Sequence, residues 1–334
     1  MSIEVNESPS RLMVIREAAK NSVVVFDPGD RTQIEVTGSD RARFLNSFTS
    51  NDIKRLKPGQ GCETFVTNIK GKVVGHVFVF CGESSHWLDG TAGQQATIIG
   101  HLGKFLLIDD VQLIARSDER GELFVTGPLA AQLLQLDSAM PVGSHETRDS
   151  TGVTIDIRRV DLLGQPGFLM SIPRSDIANV KRGLTAIGVA EGTAEQFEIL
   201  RIEAGYPSFG IDISDDQLAQ EVARTKQCVS FDKGCYLGQE TIARLDSLGH
   251  TNRELRRLRF DSVRVPAPGA NVFDSTGATE VGTISSAECV AENTAEGTTH
   301  HVVALGMIKR VACSPGTSVR LVANGQTIEG HVLG

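Results

Sequence analysis

The residues able to do chemistry concentrate in one stretch, Phe231-Asp232-Lys233-Gly234-Cys235-Tyr236-Leu237-Gly238-Gln239-Glu240-Thr241-Ile242-Ala243-Arg244. Gly234 and Gly238 flank the thiol, so the backbone there can turn tightly and approach a ligand closely. Lys233 beside Cys235 and a helix opening at Gln239 would both favour thiolate over thiol, and the thiolate attacks disulfides, binds metal or accepts sulfur. Asp232 and Glu240 oppose the lysine, and burial would raise the thiol pKa. Two readings stand side by side: a reactive Cys235 served by Lys233, Gln239 and Glu240, and a structural thiol in a tight loop. Cys228, seven residues earlier, reads either as a resolving thiol or as ordinary packing. The six cysteines contain no Cys-x-x-Cys pair and the eight histidines show no ligand spacing, so no metal is expected.

The elements that must position these residues follow from periodicity. Between Val23 and about Leu245, short β-branched runs alternate with segments of helical spacing, as in an α+β or α/β body. Strands are expected at Val23 to Phe26, Ile34 to Thr37, Val73 to Phe80, Leu123 to Val125, Val153 to Ile157 and Phe168 to Ile172. Ser39-Asp40 is a natural N-cap for a helix carrying Phe44, Leu45 and Phe48 on one face. Further helices are expected from Gln94 to Leu107, Leu129 to Leu136 and Ser175 to Ile187. Thr193 with Gln196 forms a capping box for a helix that stops at Gly205 and Pro207. After Leu245 helical spacing gives way to short alternating segments separated by Pro268-Gly269, Ser314-Pro315-Gly316 and Asn324-Gly325, the pattern of an all-β barrel or sandwich. Ala291 to His300 is polar and reads as a loop. The expected division is residues 1–245 for the α+β body and 246–334 for the β-domain.

At 334 residues the chain is long enough for about two domains at roughly 150 residues each. A 40% hydrophobic share excludes wholesale disorder, and a formal net charge of -8 disfavours bulk nucleic-acid binding. No apolar run approaches the roughly 20 residues of a membrane span. The opening MSIEVNESPS lacks a basic-then-apolar signal pattern, so a reducing cytoplasm is expected.

Lys233-Gly234-Cys235-Tyr236-Leu237-Gly238-Gln239-Glu240 closely resembles the K-G-C-Y-x-G-Q-E signature of YgfZ-type folate-binding proteins, relatives of the glycine cleavage T protein, an aminomethyltransferase. Weaker resemblances lie in the family's order. Gly38 and Asp40 with Phe44-Leu45 resemble G-x-D-x-x-x-F-L, and Ser50-Asn51-Asp52-Ile53 resembles the T-N-D-V turn. Gly71-Lys72-Val73 resembles the G-K/R-V step, and Arg201 to Asp212 resembles R-x-E-x-G-x-P-x-x-G-x-D. The resemblance implies two mixed α/β subdomains, interleaved in 1–245, and a C-terminal β-barrel around a central channel for tetrahydrofolate or a one-carbon derivative. It places Glu203 at the pterin, where a carboxylate can accept two parallel N–H bonds. Arg244, Tyr206 and Asn51 are the further candidates for that pocket. It also implies iron-sulfur client or assembly proteins as partners, and a monomer is expected. Aminomethyltransferases carry an Asp-Asp pair where this chain has Gly75-His76. Both carboxylates are absent, which favours the YgfZ branch over a folate-dependent aminomethyl or methyl transferase.

Overall fold

The structure, a computed structural model, describes residues 9–150, 152–294, 297–323 and 326–334. A six-stranded sheet runs in the order Ala190–Gly192, Val24–Phe26, Arg120–Thr126, Gly167–Pro173, Val153–Val160, His145–Ser150. The chain leaves this sheet after Phe26 and returns at Arg120. The interval supplies a second sheet of five strands, ordered Gln60–Thr67, Val73–Cys81, Ser85–Thr91, Arg31–Thr37, Gln112–Ala115. A closed barrel follows, ordered Arg253–Phe260, Gly297–Lys309, Glu280–Thr294, Asn271–Asp274, Ser318–Ala323, Gln326–Val332. The architecture is thus α+β, with two mixed α/β parts and a C-terminal six-stranded β-barrel.

Val73–Cys81 explains how the site is placed. It is buried at every position, as a strand covered on both faces must be, and its run VVGHVFVFC is correspondingly apolar. Side chains alternate between faces. Val77 and Val79 pack with Ile98 and Leu102 of the Gln95–Gly103 helix, and Gly75 lies under Ile98. Phe78 and Phe80 pack on Val24, Phe26 and Phe124 of the other sheet. His76 shares their parity, which turns it toward the centre of the molecule.

Several expectations need correction. The Ala291 to His300 segment is no loop: Glu280–Thr294 and Gly297–Lys309 form a long hairpin in which Glu292 faces Thr299. Its polarity reports a ribbon wetted on both sides, which alternation alone does not distinguish from a loop. The Gln94 to Leu107 helix stops at Gly103 and the Leu129 to Leu136 helix is only Ala130–Leu133. Asp40 stands at the N-cap of Arg41–Phe48 without capping it. Its carboxylate instead accepts from the Asp110 backbone N–H, and Ser39 donates to the Asp110 carboxylate, so the pair pins a distant loop. The Thr193–Gln196 capping box is present as expected. The Asn324-Gly325 turn and the first eight residues, which bear on the signal segment, lie outside the described residues.

The two sheets meet through buried charge. Arg31 and Asp89 come from the five-stranded sheet, Glu122 and Arg158 from the six-stranded one, and all four are buried. Arg31 bonds Asp89 at 2.8 Å and Glu122 at 2.5 Å, while Arg158 bonds Asp89 at 3.0 Å and Glu122 at 2.9 Å. Gln33 accepts from Ser171 at 2.7 Å across the same seam, and the Arg158 guanidinium lies over Phe80 and Trp87. Removing one partner strands the opposite charges in the interior, which costs about 3–5 kcal/mol. Asp89→Ala and Arg158→Met should each lower stability by that order in urea denaturation. A loss below about 1 kcal/mol for both would show that the seam holds without its charges.

Candidate functional site

Five side chains converge where the His76 face meets the Thr225–Cys228 turn of helix. His76 Nε2 lies 2.6 Å from Glu63 Oε1, and the Arg224 guanidinium grips both Glu63 oxygens at 2.5 Å. Cys228 Sγ is 3.9 Å from His76 Nε2. Tyr206 stacks on His76 at 5.5 Å between ring centroids, and Arg224 lies over the Tyr206 ring at 4.8 Å. Gln94 fixes the strand from outside, accepting from the His76 N–H at 2.8 Å.

Burial alone would raise the Glu63 pKa, but the His76 hydrogen bond and the Arg224 charge more than offset it and hold the carboxyl down to about 2. An ionised Glu63 only accepts, so the proton at 2.6 Å sits on His76 Nε2. Burial, reinforced by Glu63, pushes the Cys228 thiol and the Tyr206 phenol well above their ordinary values. Glu63, His76 and Cys228 bring three ligand types within 4.8 Å of one another. The Glu63 oxygens are already filled by Arg224 and His76, and the cluster reads as a satisfied proton-bearing network.

The network forms one wall of a cavity of about 400 Å³, bounded also by Cys62, Val142, Asp161, Leu162, Gly164, Ala204 and Gln227. That size falls in the usual small-molecule range of about 300–1,000 Å³. Asp161 is half-buried, and its Oδ1 is enclosed without a hydrogen-bond partner among the described residues.

The Lys233–Glu240 motif lies elsewhere and acts as a strap. Lys233 is buried, and its ammonium donates to the carbonyls of Asn46, Thr49 and Asn51 at 2.6–2.8 Å. Burial pushes its pKa down to about 8. Leu237 is held by the Ser47 carbonyl and by Thr67 Oγ1, which donates to the Leu237 carbonyl at 2.6 Å. Gly238 has φ +87°, and a Cβ there would fall 2.3 Å from the Asn68 carbonyl oxygen, so only glycine fits. Gln239 accepts from the Tyr236 N–H and opens the Gln239–Leu248 helix, on which Glu240 and Arg244 are exposed. Cys235 is exposed at a separate hollow of about 350 Å³ with Arg43, Lys54, Arg55 and Asp232.

The expected site residues therefore fall in three places. Tyr206 lines the 400 Å³ cavity, and Asn51 braces its rim by donating to the carbonyls of Glu63 and Gln227. Cys235 and Lys233 border the strap hollow, with Gln239 and Glu240 beginning the helix behind it. Glu203 pairs with Arg16 in a third groove between the Pro9–Asn21 helix and the barrel, while its neighbour Ala204 faces the cavity. Arg201 of the same helix is buried and binds Asp212, Glu198 and Ser286, joining its helix to the barrel. Sequence reasoning missed Glu63, Arg224 and Asp161; a glutamate inside the buried run ETFVT was the available signal.

A family model described as the GCVT N-terminal domain matches residues 13–233. A chloroplastic Arabidopsis thaliana protein, named only provisionally as a transferase, is 29% identical over 324 residues, covering 95% of this chain and 71% of its own. An aminomethyltransferase of Deinococcus deserti is 28% identical over 213 residues, 62% of this chain and 60% of its own, and the mitochondrial aminomethyltransferase of Solanum tuberosum is 25% identical over 334 residues, 92% and 77%. The glycine cleavage system aminomethyltransferase T of Bartonella henselae shares the fold with a TM-score of 0.80 at 22% identity, covering 97% of this chain and 88% of that one.

Glu63 carries a pH prediction. Its folded pKa is depressed, so its contribution is present above the ordinary value near 4.5 and is lost as pH falls toward about 2. The shift corresponds to on the order of 3 kcal/mol. Glu63→Gln should be less stable at pH 7, and its stability relative to wild type should recover between pH 4.5 and 2. A constant difference across that window would show that the carboxylate is not held by Arg224 and His76.

Proposed function

The chain belongs to the GCVT N-terminal domain family, and on that premise we propose that it is a tetrahydrofolate-binding accessory protein of the YgfZ type. In this reading residues 1–245 hold the folate or a one-carbon derivative, and the 246–334 barrel docks against them. The protein acts as a cytoplasmic monomer that supports iron-sulfur cluster assembly or repair, with Cys235 as its reactive group and client or assembly proteins as partners. Among the described residues no helix is long and apolar enough to cross a membrane.

The carrying observation is the cavity lined by Tyr206, Arg224, Leu162 and Asp161, which pairs an aromatic ring and an aliphatic side chain with charged groups. Those features fit a pterin, whose chemistry when bound is to carry one-carbon units. Calorimetry with tetrahydrofolate should give saturable binding, and its absence would overturn the reading. Glu203→Gln tests whether the groove beside Arg16 takes part.

The names of the aminomethyltransferase relatives favour a second reading, a folate-dependent aminomethyl transferase. Gly75 speaks against it, because it carries no carboxylate, and a Cβ there would meet the Ile98 side chain at 2.7 Å, which would have to move. Position 76 faces the cavity network but carries imidazole bound to Glu63. An acid or base typically contributes about 10²–10⁴-fold, so turnover of an aminomethyl-lipoyl carrier should be negligible beside a working enzyme. Near-normal turnover would establish the transferase instead.

Exposure of Cys235 and burial of Cys228 support separate roles for the two thiols. Cys235→Ser should melt like wild type yet fail to restore iron-sulfur enzyme activity in a strain lacking the gene. Full restoration would remove the thiol from the function and leave the strap as the motif's role.

A further inference from the structure

We propose that the face carrying Cys235 docks an acidic segment of another protein, one that sets an aliphatic or aromatic side chain beside its carboxylates. This deepens the accessory reading above and rests on it only for that protein being a client or assembly partner. An apolar tip and a basic hollow lie one ion pair apart on this face. The tip is Leu107-Ile108, which follows the Gln95–Gly103 helix and is exposed by 86% and 94%. The hollow is the one of about 350 Å³ at Cys235, and Arg43 on its wall reaches Asp109, the residue after Ile108, at 2.5 Å.

The tip is pinned on both sides. Before it, Phe105 stacks on Phe48 at 4.5 Å between ring centroids. After it, Arg43 grips Asp109, while Ser39 and Asp40 fix Asp110. Exposed apolar residues scattered singly are ordinary, but two adjacent ones on an anchored loop form a patch, and such patches mark interaction surfaces. Phe231, exposed directly before Asp232 of the hollow's wall, adds a third apolar group. Because the loop is already ordered, little freedom is lost when a partner covers it.

Charge selects the partner. The chain carries a formal net charge of -8, yet the hollow's wall sets Arg43, Lys54, Arg55 and Lys233 against Asp52 and Asp232. Lys233 is spent on backbone carbonyls. Arg43 pairs with Asp40 and Asp109 and Arg55 with Asp52, but these ion pairs are exposed on the arginine side and exchange readily with a partner's carboxylates. Lys54 has no carboxylate partner among the described residues. A nucleic acid fits less well, since Leu107 and Ile108 offer no π-face to a base and the net charge repels a phosphate polymer.

The test is phage display of a random-peptide library on wild type, with counter-selection on Leu107→Ser combined with Ile108→Ser. It should enrich sequences that join Asp or Glu to Leu, Ile or Phe. A fluorescein-labelled peptide of that consensus should bind wild type in fluorescence polarisation at low salt. Its affinity should fall at least tenfold for the Leu107→Ser, Ile108→Ser pair and for Lys54→Glu with Arg55→Glu, and stay unchanged for Arg264→Glu on the barrel. Sodium chloride at about 1 M, where the Debye length is about 3 Å, should weaken it severalfold. The substituted side chains are exposed, so the variants should melt like wild type; Lys54→Glu alone carries the charge test if Arg55→Glu disturbs Asp52.

No enriched consensus, a consensus without acidic residues, or unchanged affinity in both paired variants would each overturn the docking surface. So would tighter binding of a polyuridine oligonucleotide than of the peptide, or a wild-type dimer in sedimentation that the Leu107→Ser, Ile108→Ser pair abolishes, which would give the face to nucleic acid or to a second copy. The two readings fail separately. If no acidic peptide binds while Cys235→Ser still fails to restore iron-sulfur enzyme activity, the docking surface falls and the accessory reading stands. If the peptide binds as expected while Cys235→Ser restores that activity in full, the thiol leaves the function and the docking surface stands.

Discussion

The fold depends on a square of buried charge. Arg31, Asp89, Arg158 and Glu122 alternate in sign around the seam between the two sheets, so each cation serves both anions. Burial pushes Glu122 up, and the adjacent Asp89 charge pushes it further, while the two arginines hold Asp89 down. Such a network is costly to desolvate and weak as a source of net stability, yet it tolerates few arrangements of its members. It fixes which residues of one sheet oppose which of the other. Asp161 directly follows the strand that carries Arg158, and His76 and Phe80 share a face on the strand that pairs with the strand of Asp89, so the seam also sets the cavity walls.

Much of this was legible in sequence where one force dominates. The apolar run at Val73, the Thr193–Gln196 box and the turn-punctuated segments after Leu245 all give elements in the expected places, because local pattern and burial agree there. The seam was not legible. Arg31, Asp89, Glu122 and Arg158 read individually as surface charges, and only pairing across more than fifty residues makes them core. The Glu280–Lys309 hairpin was hidden for the opposite reason, since its outer half is paired by backbone while its side chains remain polar.

The Lys233–Glu240 motif joins both cases. Its residues look like the environment of an activated thiol, and Lys233 was the obvious source of positive charge. The structure directs that ammonium into the carbonyls at the end of the Arg41–Phe48 helix, the electronegative end of its dipole. Gly238 and Gly71 meet back to back, which ties the strap to the turn before Val73–Cys81. Most of the motif is therefore explained by packing, with Cys235 the exception: it is exposed on a loop between the buried Lys233 and Tyr236.

Position 76 shows how the same wall can change its chemistry without changing its frame. Gly75 lies under Ile98 and carries no side chain, so of the pair 75 and 76 it is His76 that offers a functional group to the interior. A lone carboxylate there would face Glu63, and two anions at hydrogen-bond distance could not both ionise. Imidazole avoids the conflict by donating to Glu63, which Arg224 neutralises in turn. The network thus closes upon itself and presents Tyr206 and Arg224 to the cavity as fixed surface.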